Sequence, residues 1–280
     1  KYTAYALLGK VLLYQDKFAE AASALDNVIG VYSLVSDYGS QFLRFGENGP
    51  ESVFEIQYSN QSNWYDWGCA HCSEGNYAII MNGPRGWSGP EYAQGWSFNV
   101  PTEEFYNSFE EGDSRRDATV LDIEAFAAAT GASYTEGYDH TGYFNNKYIP
   151  RAGESGGQTE LNYLTNFRII RYSDVLLMAA EAYNRGGIDD GLAQEFLNQV
   201  RRRAFGGDDN DISASGSALT DAIWEERKFE LSLEGHRFFD LVRTGRASSL
   251  IAGFVEGKHE VFPIPQQEVD ISGLTQNAGY

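Results

Sequence analysis

Cysteine is nearly absent. Only Cys69 and Cys72 occur in 280 residues, too few for the disulfide framework that holds small secreted domains together. Both lie in the tetrapeptide Cys-Ala-His-Cys, which suits either a small local disulfide or two free thiols. Cys69, His71 and Cys72 offer three zinc ligands, but a structural zinc site needs a fourth, and His140, His236 and His259 have no close spacing to them. We expect no metal and no cofactor. Basic charge is scarce too: 21 Lys and Arg stand against 40 Asp and Glu, a formal charge of -19. Such a charge repels phosphate backbones and anionic headgroups, which weighs against nucleic acid and direct membrane adsorption. Long apolar runs are missing, stretches such as Val175 to Ala180 falling far short of the ~20 residues that cross a bilayer. No signal peptide or lipid-attachment cysteine can be read at Lys1, which runs straight into a helical pattern and reads as a cut or processed edge.

Aromatic residues and glycine are plentiful. The former make up 14% of the chain and Gly fills 30 positions, about 11% against a usual ~7%, a pairing that suggests aromatic-decorated loops between helices. Residues 1–34 read as a helical hairpin, with Tyr5, Leu8 and Leu12 on one stripe and Phe18, Ala21, Leu25 and Val28 on the other. Gly9 and Ala21 are the small contact points, and the spacing matches the tetratricopeptide pattern. One such unit cannot bury both its faces, which implies neighbouring hairpins.

Over residues 35–166 the helical period mostly disappears, apart from an extended run at Ser52 to Tyr58 and a helix at Thr102 to Phe109 capped by Thr102. A loop-rich stretch of this length is uncommon without a function, and the ligand-binding region is expected there. Helices resume over 167–280. Tyr172, Leu176, Ala179 and Tyr183 form a stripe ended by Gly186-Gly187, and a second helix runs from Leu192 to Ala204. A single long helix is expected from about Leu219 to Val242, with Arg227, Glu230, Glu234, Arg237 and Asp240 as a buried or half-buried ladder of ion pairs three residues apart. The expected fold is mainly α, with tetratricopeptide-like hairpins framing an irregular ligand-binding region in one domain over 1–280.

Several segments together resemble one family. Arg171-Tyr172-Ser173-Asp174-Val175-Leu176-Leu177-Met178-Ala179-Ala180-Glu181-Ala182 is similar to the segment that begins the last helical hairpin of RagB/SusD proteins. Glu225-Glu226-Arg227 through Glu234-Gly235-His236-Arg237-Phe238-Phe239-Asp240-Leu241-Val242-Arg243 resembles that family's most recognisable motif. Pro101-Thr102 with Phe109 to Asp117, and Phe262-Pro263-Ile264-Pro265 with Leu274 to Tyr280, agree as well. Thr244 and Ala278 depart from a usual tryptophan and proline. Family members are usually longer, so the chain resembles a carboxyl-terminal part. The resemblance implies a non-enzymatic outer-membrane lipoprotein on the cell surface, binding oligosaccharides or polysaccharides and handing them to a SusC-like TonB-dependent transporter.

Sugar rings stack on aromatic planes and hydrogen-bond to polar rims. Trp64-Tyr65-Asp66-Trp67 puts three rings and a carboxylate together, and Arg85-Gly86-Trp87 with Tyr92 repeats the combination. Trp64, Tyr65, Asp66, Trp67, Arg85, Trp87 and Tyr92 are the candidate ligand contacts, each weighed against service as a loop anchor. Trp96 is the weaker candidate because it adjoins the Pro101-Thr102 motif. A glycoside hydrolase and a peptide-binding tetratricopeptide scaffold are the alternatives. Glu103-Glu104 and Glu225-Glu226 are adjacent on helices, about 100° apart, so neither pair can flank one glycosidic bond. No nucleophile triad pattern surrounds His236, and Arg115-Arg116 would neutralise Asp113 and Asp117 without an EF-hand spacing.

Overall fold

The computed structural model describes residues 1–61, 67–156 and 161–280. They form two compact units, Lys1–Glu234 and Gly235–Tyr280, so the division falls inside the carboxyl-terminal helices. The larger unit opens with α1 (Tyr2–Tyr14) and α2 (Phe18–Leu25) as an antiparallel hairpin. Its buried seam is Ala6, Gly9 and Leu13 against Ala21, Ala22, Leu25 and Val28. A Cβ at Gly9 would stand 2.5 Å from Cγ of Leu25, so glycine sets how closely the helices approach. On α1 the seam is rotated by about one residue from the expected stripe, while Ala21, Leu25 and Val28 are buried where the spacing places them. Tyr5 and Leu12 only border the core, and Leu8 is exposed.

The middle of the chain contains β1 (Ser52–Ile56), α3 (Ala78–Met81), β2 (Arg85–Ser88), α4 (Glu103–Asn107), α5 (Arg115–Thr119), β3 (Val120–Asp122), α6 (Ile123–Thr130), β4 (Ser133–Thr135) and β5 (Tyr143–Asn145). These elements are short, as the Gly- and Asn-rich sequence predicts. The α4 start follows from its cap, the Thr102 hydroxyl accepting from the Phe105 N–H at 3.1 Å. Asp122 caps α6 in the same way at 2.9 Å, and Gly131 ends it at φ 72°.

Where helix was expected to resume, Phe167–Arg171 is instead a strand, β6, rich in the branched residues strands favour. It pairs antiparallel with β1; β2 pairs with β4 and β3 with β5 in the same sense. The helices α7 (Tyr172–Arg185), α8 (Asp190–Phe205) and α9 (Gly216–Glu230) follow. Helix α7 is buried on every side from Tyr172 to Ala182, with α2, α8 and α9 packed around it, so its sequence is apolar beyond a single stripe.

The expected long helix to Val242 is broken. Helix α9 stops at Glu230, Leu233 and Gly235 take positive φ values of 62° and 85°, and α10 (Arg237–Arg243) restarts the turn. Arg227, Glu230 and Glu234 of the charged ladder are buried and meet partners from distant segments, whereas Arg237 is half-buried and Asp240 pairs within its own helix with Arg243 at 2.9 Å. The Arg171 guanidinium meets Glu51 at 2.8 Å, Glu230 at 2.9 Å and Glu234 at 2.7 Å. Arg203 reaches Glu230 at 2.6 Å, and Arg115 reaches Asp113 at 2.7 Å and Glu226 at 2.5 Å. Arg227 pairs with Asp174 at 2.8 Å. Burial alone would raise the Glu230 carboxyl, yet Arg203, Arg171 and Arg115 hold it well below the usual carboxylate range. Lys147 donates to Glu234 at 2.7 Å and to the carbonyls of Glu230 and Ser232; its desolvation outweighs those partners and lowers its pKa to about 8. This network joins α5, β6, α8 and α9 to Gln41, Glu51, Lys147 and Glu234.

The smaller unit holds α10, α11 (Ala247–Leu250) and α12 (Gln266–Ser272). Its proline-bearing segment is stitched by Gln276, whose amide donates to the Ile264 carbonyl at 2.7 Å and accepts from its N–H at 2.8 Å.

Candidate functional site

With little periodic structure, the loop region is held by polar stitches. Ser59 N–H donates to the Glu74 carbonyl at 2.9 Å, Ser73 Oγ to the Leu161 carbonyl at 3.1 Å, and Asn76 Nδ2 to the Thr165 carbonyl at 2.9 Å. Between the first two anchors, Trp67 opens a short 3-10 segment, Trp67–Cys72, closed by a Cys69–Cys72 disulfide with Cα atoms 5.3 Å apart. Both thiols are consumed there, so neither is a thiolate ligand for zinc.

The Trp67 indole is 47% exposed and stacks on Trp96, with centroids 5.6 Å apart and planes inclined by 30°. Trp96 is half-buried against a core cluster built from Tyr38, Phe42, Ile79, Ile80, Tyr148 and Tyr163. Its backbone is pinned on both sides: the N–H donates to Ile80 at 2.8 Å, and the carbonyl accepts from Arg85 Nε at 2.7 Å. The neighbouring residues Gly95, Ser97 and Phe98 bond to Pro84, Gly83 and Met81. A Cβ on Gly95 would run into the carbonyl of Asn82, so this close approach requires glycine. Phe98, 53% exposed, meets Trp96 edge to face, and the Arg85 guanidinium lies 5.7 Å from its ring centre.

Trp96, Phe98, Asn99 and Arg85 line one part of an open cleft of about 560 Å³. The β2–β4 pairing sets Arg85 opposite Thr135, which brings Glu136, Tyr138 and Asp139 to the same cleft. The Tyr138 side chain is 92% exposed. The cleft therefore combines flat aromatic faces with an amide, two carboxylates and a guanidinium, groups that can stack on an apolar ring face and hydrogen-bond to hydroxyls around its edge.

Of the expected contacts, Trp67 and Arg85 come together here through Trp96. Trp64, Tyr65 and Asp66 lie outside the described residues. Tyr92 turns inward: it is 5% exposed in a cluster with Leu121, Ile123, Phe144 and Ile149, its hydroxyl donates to Asn146, and burial pushes its pKa up to about 12. It has no ring face to offer a ligand. Trp87, on β2, is half-buried against Tyr92 and Phe126. Trp96, discounted from sequence, is the pivot of the stack. Phe98, Tyr138, Glu136 and Asp139 escaped notice because nothing in their spacing links them to Trp67 or Arg85.

The structure defines a helical-hairpin scaffold that carries an aromatic cleft on irregular loops. The chain matches the SusD family model over residues 50–254 and belongs to that family. It is 28% identical to SusD-like protein P2 of Formosa agariphila over 100% of this chain and 59% of that protein. A solved laminarin-binding SusD-like protein is 39% identical with a TM-score of 0.89, covering 100% of this chain and 62% of its own. Surface glycan-binding protein A from Bacteroides thetaiotaomicron, solved with laminarihexaose, is 33% identical with a TM-score of 0.88, covering 98% and 62%. The chain thus spans about three fifths of the length of these relatives.

Proposed function

We propose that the protein of which this chain is part binds neutral oligosaccharides and polysaccharides of the laminarin type at the cell surface and delivers them to a TonB-dependent outer-membrane transporter, without cleaving them. The observation that carries the reading is the water-exposed Trp67–Trp96 stack beside a cleft rimmed by Arg85, Asn99, Glu136 and Asp139. Exposed, flat indole surface of this kind has no use in the core and suits the C–H face of a pyranose. Trp64, Tyr65 and Asp66 precede Trp67 directly in the chain and belong with it as candidate contacts. The laminarin and laminarihexaose named for two relatives support the choice of ligand. A lipid-anchored position on the outer membrane is part of the same proposal, as the family resemblance implies; no helix among the described residues is long and apolar enough to cross a membrane.

Binding is favoured over hydrolysis because the solved relatives are named for glycan binding and the glutamates of the long-helix motif are occupied, which leaves Glu136 and Asp139 as the cleft carboxylates the assay must test. Glu226, Glu230 and Glu234 are at most 4% exposed and are locked by Arg115, Arg201, Arg203, Arg171 and Lys147, where no polymer can reach them. The test is native gel migration through a panel of polysaccharides, with reducing ends assayed in parallel. Retardation by laminarin without new reducing ends is expected; released sugars would replace the binding reading with a hydrolase.

A further inference from the structure

The stack of Trp67 on Trp96 joins a ring seated on the core to a half-exposed ring on a loop. Trp96 is pinned by backbone bonds to Ile80 and Arg85 and packs on a core cluster. Trp67 sits on the chain excursion that leaves at Ser59 and returns at Glu74, and its ring is 47% exposed. A single aromatic stack is worth less than the conformational entropy of ordering a residue or two of backbone. The position of Trp67 is therefore set largely by the conformation of its own segment. Within it the backbone kinks at Cys69, at φ -143° and ψ 66°, between two short 3-10 turns. The Cys69–Cys72 bond spans that kink and starts two residues after Trp67.

We infer that the Cys69–Cys72 disulfide is a positioning element of the glycan cleft, holding Trp67 over Trp96 so that the ligand meets a preformed aromatic face. This rests on the glycan-binding reading for its consequence, though not for its structural content. A covalent clasp across so few residues contributes at the low end of disulfide effects on global stability, because loop-closure entropy grows with loop length. What it restricts is local. Ordering the loop before the ligand arrives removes that entropy from the binding step, which is how preorganisation raises affinity. Placing Trp67 correctly then becomes conditional on oxidation. A dithiol reductant supplies two electrons and two protons, the Sγ–Sγ bond breaks, two thiols form, and the reductant closes to its own cyclic disulfide.

The test compares the oxidised protein, the same protein treated with dithiothreitol, and the double variant Cys69→Ser/Cys72→Ser. Two readouts are taken: the tryptophan exciton couplet in circular dichroism without ligand, assigned with Trp67→Ala, and affinity for laminarihexaose. The expected result is a couplet present only in the oxidised protein, with affinity about tenfold weaker after reduction and in the double variant, which no longer responds to dithiothreitol. The melting temperature should change little. An identical couplet in all three samples overturns the inference whether or not the sugar binds. If the oxidised protein shows the couplet and ignores every glucan, the glycan reading fails while the disulfide's effect on Trp67 stands.

Discussion

At the scale of single residues, the cleft depends on side chains that differ in what else they do. Trp67 is nearly half exposed and, among the described residues, stacks on one ring, whereas Trp96 also seals a core cluster. Trp67→Ala should therefore weaken laminarihexaose binding about tenfold, the ~1.4 kcal/mol scale of one good aromatic contact, and leave the melting temperature unchanged. Trp96→Ala should lower both, which calorimetry and thermal melts on the two variants would separate. Gly95→Ala belongs to the same group. Its Cβ would collide with backbone at Asn82 and Gly83, displacing Trp96 without removing any ring, so affinity should fall with every aromatic intact. The sequence groups Trp67 and Arg85 with neighbouring aromatics as candidate contacts, but it cannot rank them against Trp87 or Tyr92. Tyr92 looks like Tyr138 in composition and neighbours; only tertiary packing buries one and leaves the other in water.

At the scale of elements, helices were legible where burial is periodic. The α1–α2 hairpin and the α7–α8 pair follow from apolar spacing and from Gly9, Gly186 and Gly187. The break between α9 and α10 was not legible, since charges three residues apart look like pairs within one helix. In fact Glu230 and Glu234 serve Arg171, Arg203 and Lys147 from other segments. Replacing Arg171 by Met leaves Glu51, Glu230 and Glu234 short of a buried cation and should destabilise the protein by about 3–5 kcal/mol in denaturant unfolding.

The same network predicts a pH dependence. Lys147 titrates near 8 when folded and at its ordinary 10.5 when unfolded, so between those values the unfolded chain binds more protons and stability rises with pH. Above pH 10 the trend reverses, because burial raises the pKa values of Tyr38, Tyr92 and Tyr148 and the folded state then holds more protons. Urea unfolding should show a gain on the order of 1–2 kcal/mol from about pH 7.5 to 9.5, absent in Lys147→Met. A flat profile in the wild type would show that Lys147 is not desolvated as its surroundings require.

At the scale of the whole molecule, a formal charge of -19 frames what the cleft can accept. The two cleft carboxylates, Glu136 and Asp139, outnumber the single guanidinium of Arg85. Uronate-bearing or sulfated polymers meet repulsion both at long range and at contact, while a neutral glucan meets none. Affinity for laminarin should therefore be nearly independent of salt. Any residual binding of an anionic polysaccharide should strengthen as sodium chloride rises and screening grows, which affinity electrophoresis at two ionic strengths would show.

The most direct measurement of the central claim is isothermal titration of the full-length protein with laminarihexaose, alongside its Trp67→Ala variant. The account predicts saturable heat for the wild type, a Kd about tenfold higher for the variant at an unchanged melting temperature, and no sugar released after incubation. Equal affinities in the two proteins would contradict it, because the exposed indole would then contribute nothing to holding the ligand.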